Sequence, residues 1–167
     1  MTITIATAAE RISCALDMYP SEGKPLTIAT TYAIQCGIDT GTQEGGQAPD
    51  VEIDGDTFVA VVSAAVEADT RAVIRRTKAI DAWRTEQAMG MTDPSTQELL
   101  ELLLPELWLQ RQTWLALWDE DREAHRVANP GNPMLLQVGT PFADEHLRPE
   151  TVAARDAYDA NLAKLAR

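Results

Sequence analysis

Apolar residues crowd the stretch 99–118, and their spacing is helical. Positions Leu100, Leu104, Leu107, Arg111, Trp114 and Trp118 step by four and three, which places them on one helix face. Leu99, Leu103 and Leu115 widen that stripe, and Leu102 and Leu109 extend its flanks. Three of the four tryptophans, Trp108, Trp114 and Trp118, lie here. So wide an apolar surface has to be covered, and the stretch is expected to be the helix on which the other elements pack, with its tryptophans as dry anchors.

Its start is signalled by Asp93 as a cap and Pro94 at the first helical position, with Ser95 and Glu98 as an alternative capping box. Pro105 interrupts the pattern. Either the helix kinks there, or a short helix ends near Leu103 and a longer one restarts at Pro105. Glu101, Glu106, Gln110, Arg111 and Gln112 exclude a transmembrane span, which needs about 20 mainly apolar residues.

A second stripe runs through Phe58, Val61, Val62, Ala65, Val66, Val73, Ile80 and Trp83, and predicts a long helix from about 57 to 88. The short connection 89–92, with Gly90 as a stop, makes the two long helices antiparallel neighbours. Upstream, Thr7-Ala-Ala-Glu10 reads as a capping box for a helix carrying Ala8, Ile12, Ala15, Leu16 and Tyr19, ended by Pro20. Residues 26–36 suit a strand by their Thr and Ile content. Leu26, Ala29, Ala33 and Cys36 keep helical spacing, with Gly37 as a stop, and this favours helix. Residues 38–49 read as loop. Residues 50–56 are either two short strands turning at Asp54-Gly55 or the entrance to the long helix capped by Asp56. Asn129-Pro-Gly-Asn-Pro133 ends the second long helix near Ala128, 134–138 reads as a short strand or arm, and Pro149 opens a last helix with Ala154, Tyr158, Leu162 and Leu165 on one face.

The expected fold is therefore mainly α: a helical bundle on two long antiparallel helices (about 57–88 and 94–128), with extended loops or arms and room for a small β-hairpin. One domain is expected over 1–167. Within it, 1–49 holds short helices and a loop, 50–128 the long-helix core, and 129–167 an extended loop and C-terminal helix.

Charge narrows the function. A formal net charge of −12 disfavours direct nucleic-acid binding and anionic membranes, and suits solubility, a basic partner or mimicry of a polyanion. No basic segment followed by an apolar run marks a secretory signal, so a cytoplasmic or virion location is expected. Cys14 and Cys36 give no disulfide framework and read as reduced, buried thiols.

Three constellations carry candidate chemistry. Asp50-x-Glu52-x-Asp54-Gly55-Asp56 resembles the first half of an EF-hand calcium loop, but the twelfth position is Val61, and a solvated turn with a helix cap is the competing reading. Glu98-x-x-Glu101 and Glu120-x-x-Glu123 resemble the paired acidic motifs of all-α nucleotide pyrophosphohydrolases of the MazG type, and that resemblance implies magnesium held between facing helices. The family's Glu-x-x-Asp is Glu-x-x-Glu here. Asp121 and His125 lie one helical turn apart, but His125 and His146, the two histidines present, fill no tetrahedral zinc site without carboxylates.

Arg71, Arg75, Arg76, Lys78 and Arg84 form the one basic patch, with Arg71, Arg75 and Lys78 on one face. It is expected either to pair within the chain and compensate helix dipoles or to seat the acidic run Asp119, Glu120, Asp121 and Glu123 of the same chain or a neighbour. The leading functional expectation is a non-enzymatic assembly protein without cofactor. It would contact copies of itself or a larger structure, such as a bacteriophage particle with its head–tail connector. The alternatives are an acidic inhibitor that mimics nucleic acid and a metal-dependent pyrophosphohydrolase.

Overall fold

The computed structural model describes residues 1–19, 22–41, 51–128 and 146–167. It is mainly α-helical with a small antiparallel sheet. Its elements are β1 (Thr2–Thr4), α1 (Ile5–Ala15), α2 (Lys24–Gln35), β2 (Glu52–Asp54), α3 (Gly55–Ala68), α4 (Thr70–Ala88), α5 (Pro94–Leu103), α6 (Pro105–Ala128) and α7 (Pro149–Leu165). The expected arm at 134–138 lies outside the described residues, as do most of the two expected loops.

Contacts group the chain into two compact units. One comprises Met1–Trp108 with Leu165–Arg167, and the other Leu109–Lys164. The sequence pattern alone carries no mark of this division and reads as a single domain.

In the first unit, β1 pairs with β2, and Ile3 faces Ile53 in register. Both isoleucines are buried. Each strand runs straight into a helix through a side-chain cap. The Thr4 hydroxyl accepts the Thr7 N–H, and the Asp54 carboxylate accepts the Thr57 N–H at 2.8 Å. The caps are thus Thr4 and Asp54, not the expected Thr7 and Asp56. The strand at 52–54 is real, but its partner is the distant 2–4 segment and not a local hairpin.

α1 packs on α2, α3 and α5, and α2 packs on α3. Ile5, Ile12, Phe58, Val61, Val62, Val66, Leu100 and Leu103 are fully buried and form a dry apolar core. Residues 26–36 are helical, as the 3–4 spacing favours. Gly37, at φ 83°, ends α2 in the left-handed conformation: its N–H donates to the Ile34 carbonyl and the Ile38 N–H to the Ala33 carbonyl. α1 ends in the same way on Asp17, at φ 58°, several residues before Pro20. Tyr19 is therefore exposed and not on the buried stripe.

Both long helical segments are present, and each is interrupted once. Asp69 is extended, ends α3, and caps α4 by accepting the Arg71 and Ala72 N–H groups. This one extended residue changes the phase of the stripe. Ala72, Ala79 and Trp83 are buried, whereas Val73 and Ile80, expected on that face, are only partly covered. At the second interruption Leu104, pushed out of the helical region by the following Pro105, ends α5. Its carbonyl then accepts the Leu107 N–H at the start of α6. A short helix followed by a longer one is thus the outcome, not a kink. α5 starts as expected, with Asp93 accepting the Ser95 N–H and Pro94 at the first position. It folds back against α4 through the turn at Gly90.

In the second unit, two polar clasps set the direction of α7 against α6. Asp121 binds Arg148 and Thr151 at the start of α7, and Gln110 accepts from Asn161 near its end. The helices are therefore antiparallel. Among the described residues, Trp114, Trp118, Tyr158 and Leu162 are the buried large apolar side chains of this unit.

Candidate interaction sites

Asp121 is the most specific polar feature of the second unit. Its side chain is only 3% exposed. It accepts hydrogen bonds from the Arg148 backbone N–H at 3.0 Å, from the Thr151 hydroxyl at 2.6 Å and from the Arg148 Nε. Burial pushes the Asp121 carboxyl up, but the Thr151 hydroxyl, the Arg148 N–H and the guanidinium more than offset it and hold the group below the usual carboxylate range. The carboxylate also sits at the N-terminus of α7, where the helix dipole favours negative charge. Asp121 is thus a buckle between helices and not a surface contact residue.

The rest of the acidic run is exposed and locally paired. Asp119 meets Arg122 at 3.0 Å, Glu120 meets Arg148 at 2.8 Å, and Glu123 meets Arg126 at 2.5 Å. A cleft of about 260 Å³ opens beside the buckle, lined by Glu120, Asp121, Ala124, His125, His146 and Arg148. The two imidazoles lie with ring centroids 4.6 Å apart.

The basic residues of α4 serve several different partners. Arg71 pairs with the capping Asp69 at 3.1 Å, and Arg76 lies 3.8 Å from Glu67. Arg75 donates to the Ala15 carbonyl at the end of α1, and Arg84 to the Leu165 carbonyl at the end of α7, both at 2.9 Å. Cations at helix C-termini satisfy carbonyls that have no partner within the helix. Lys78 is exposed.

The carboxylates considered for metals are placed as follows. Asp50 lies outside the described residues. Glu52 is an exposed strand residue, Asp54 is committed to the α3 cap, and Asp56 sits in the first turn of α3. Glu98 is exposed, and Glu101 is buried and accepts from Gln97 at 3.2 Å. Among the described residues, no three His, Cys, Asp or Glu side chains are grouped so as to hold a metal ion.

Trp108 is only half-buried, which corrects the expectation of a dry anchor. It stacks against Phe58 at 5.0 Å, and the Arg11 guanidinium lies 5.0 Å from its ring centre. Arg11 also donates to the Glu101 carbonyl at 2.9 Å. Trp114 and Trp118 are buried, yet among the described residues neither indole N–H finds an acceptor. Cys14 and Cys36 are exposed free thiols, not buried ones, because they lie at the outer sides of α1 and the end of α2.

The first unit carries an open cavity of about 420 Å³, which the sequence pattern does not reveal. Leu16, Met18, Ile28, Tyr32, Ala65 and Ala68 supply its apolar wall, and Thr27, Thr31, Gln35 and Asp69 its polar groups. The polar groups with defined partners face their own backbone: Thr27 and Thr31 donate to carbonyls four residues back, and Asp69 caps α4. Tyr19, Ile34, Ile74, Met89 and Met91 are further exposed large hydrophobic side chains. No described helix is long and apolar enough to cross a membrane.

Compared with known proteins, the chain matches no family model, no curated protein and no solved structure.

Proposed function

We propose that this chain is a non-enzymatic assembly subunit that packs against copies of itself or docks onto a larger complex. The observation that carries the reading is the apolar cavity of the first unit, whose wall offers Leu16, Ile28 and Tyr32 to a guest side chain. Charge supports it in a second way. Asp54, Asp69, Asp93, Arg75 and Asp121 close helix ends or brace neighbouring helices, whereas Asp119 and Glu123 pair only along α6 and stay exposed.

Arg71 and Lys78 on α4, with Asp119, Glu120 and Glu123 on α6, are the exposed charges proposed to set register with a neighbour. Within this class, the size, acidity and helical make-up fit a minor structural component of a bacteriophage particle, such as a head–tail connector, present in the cytoplasm during assembly and then in the virion.

The test is Ile28→Glu, which places a charge on the cavity wall without touching the apolar core. In sedimentation velocity the parent chain is expected to associate and the variant to associate less. Equal association of both overturns the cavity's role. Magnesium-dependent release of pyrophosphate from nucleotides by the parent chain overturns the non-enzymatic reading.

A further inference from the structure

We propose that the cavity of the first unit is a binding site for a small neutral amphiphile, an aliphatic or aromatic body that ends in one amide or hydroxyl group. The space exists because α3 offers it only methyl groups. Ala65 and Ala68 lie one turn apart on that helix, and Leu16, Met18, Ile28 and Tyr32 complete the apolar wall. The helices that carry or flank these residues, α1, α2 and α3, pack on one another, so the walls are set by the fold itself. A volume of about 420 Å³ falls within the range of small-molecule sites, roughly 300–1,000 Å³. Met18, unbranched and polarizable, can adjust to the outline of a guest.

Hydrogen bonding decides which polar groups are open to that guest. Thr27 donates to the Gly23 carbonyl and Thr31 to the Thr27 carbonyl. Asp69 accepts from the Arg71 and Ala72 N–H groups and pairs with the Arg71 guanidinium at 3.1 Å. Tyr32 and Gln35 remain. They lie one turn apart on α2, and among the described residues neither side chain has a hydrogen-bond partner. A phenol hydroxyl donates and accepts, and so does a carboxamide. The matching group on a guest therefore does both, as an amide or an alcohol does.

Charge sets the class as neutral. Among the described residues that line the cavity, Asp69 is the one that carries charge, and Arg71 matches it. A carboxylate guest would face Asp69 with no cation of its own on the wall. An ammonium guest would have to displace Arg71 from Asp69, where the guanidinium makes two contacts. A charged head buried without a partner is costly, and a neutral one that makes its hydrogen bonds is not. Such a guest and the neighbour's side chain invoked above would compete for one wall. That competition rests on the assembly reading, whereas the binding itself does not.

The test uses the full chain and N-phenyl-1-naphthylamine, a neutral apolar fluorophore with one N–H. Its emission is expected to rise saturably, one probe per chain, with half-saturation at about 1–50 μM. Octanamide and octan-1-ol should displace it at least about tenfold more effectively than octanoate. Ala68→Phe narrows the cavity from an exposed position, so it should leave the thermal midpoint in place and weaken probe binding at least about tenfold. Ile28→Glu, the second variant, should weaken it likewise. Gln35→Leu should hold the probe as the parent does and bind octanamide at least about threefold less well. No saturable rise, full binding retained in both Ala68→Phe and Ile28→Glu, or octanoate equal to octanamide overturns the proposal. Association that persists unchanged while octanamide displaces the probe removes the neighbour from this wall and leaves the ligand site standing. Association without any probe binding removes the ligand and leaves the neighbour.

Discussion

The two units are held together by different physics. The first has a dry interior of Ile5, Ile12, Phe58, Val61, Val62, Val66, Leu100 and Leu103, in which apolar burial does most of the work. The second is an antiparallel helix pair fastened by the Asp121–Arg148–Thr151 buckle and the Gln110–Asn161 clasp, with two tryptophans whose N–H groups lack acceptors among the described residues. An apolar core is insensitive to protonation. A clasp that depends on a carboxylate is not. The contrast teaches that the carboxylates of Asp54, Asp69, Asp93 and Asp121 act where helices begin, whereas most of the fully buried apolar side chains lie in residues 1–108.

That contrast can be broken most directly at Phe58. Phe58→Ala empties the middle of the first core and is expected to cost about 3–5 kcal/mol in denaturant unfolding. A cost below about 1.5 kcal/mol would mean that the apolar cluster does not hold the first unit. Next in size is Asp121→Ala, which strands the Thr151 hydroxyl and the Arg148 N–H and should cost about 1–3 kcal/mol. Hydrogen exchange would localise the loss. Amides of α7 should exchange faster while those of 58–66 keep their protection, and an equal rise in both would dissolve the distinction between the units.

Acid sharpens the same comparison. The folded Asp121 carboxyl titrates below its unfolded value of about 3.9, so its stabilisation is complete above that pH and is lost as the pH falls through the folded value. The caps Asp54, Asp69 and Asp93 are depressed too, each by hydrogen bonds from the residues it caps or pairs with. The first unit therefore loses caps on acidification but keeps its core, and α7 should lose exchange protection before α3 does. The reverse order would contradict the assignment.

The smallest effect is expected at Trp114. Replacement by Phe removes an indole N–H left without an acceptor, which offsets the lost apolar area, so Trp114→Phe should change stability by less than about 1 kcal/mol. A loss near that of a full truncation, about 3–5 kcal/mol, would show that the N–H is satisfied in solution.

Local signals were readable in the chain, and distant ones were not. The start of α5 was legible because Asp93 and Pro94 act within one turn of each other, and α2 because Ala29 and Ala33 keep one face. β1 was invisible because its partner lies at 52–54, and no local pattern announces such a pairing. The early end of α1 was hidden because Asp17, not Gly, takes the left-handed conformation. The interruption at Asp69 escaped periodicity because a single extended residue shifts the phase by one position, and steps of three and four still fit the wrong set, Val73 and Ile80.

The sites divide in the same way. Arg71 and Asp69 are sequence neighbours, and dipole compensation by α4 was foreseeable in kind. Its partners were not, since Arg75 reaches Ala15 across 60 positions and Asp121 reaches Arg148 across 27. Lining up Asp121 with the capping region ahead of Pro149 would have been the available clue, because a helix N-terminus seeks a carboxylate.

The central proposal, that this chain packs against copies of itself, is tested most directly by mass in solution. Light scattering across a concentration series should give multiples of 18.3 kDa that grow with concentration. A mass fixed at a single chain at every concentration, with the apolar wall around Ile28 left bare, would contradict self-assembly.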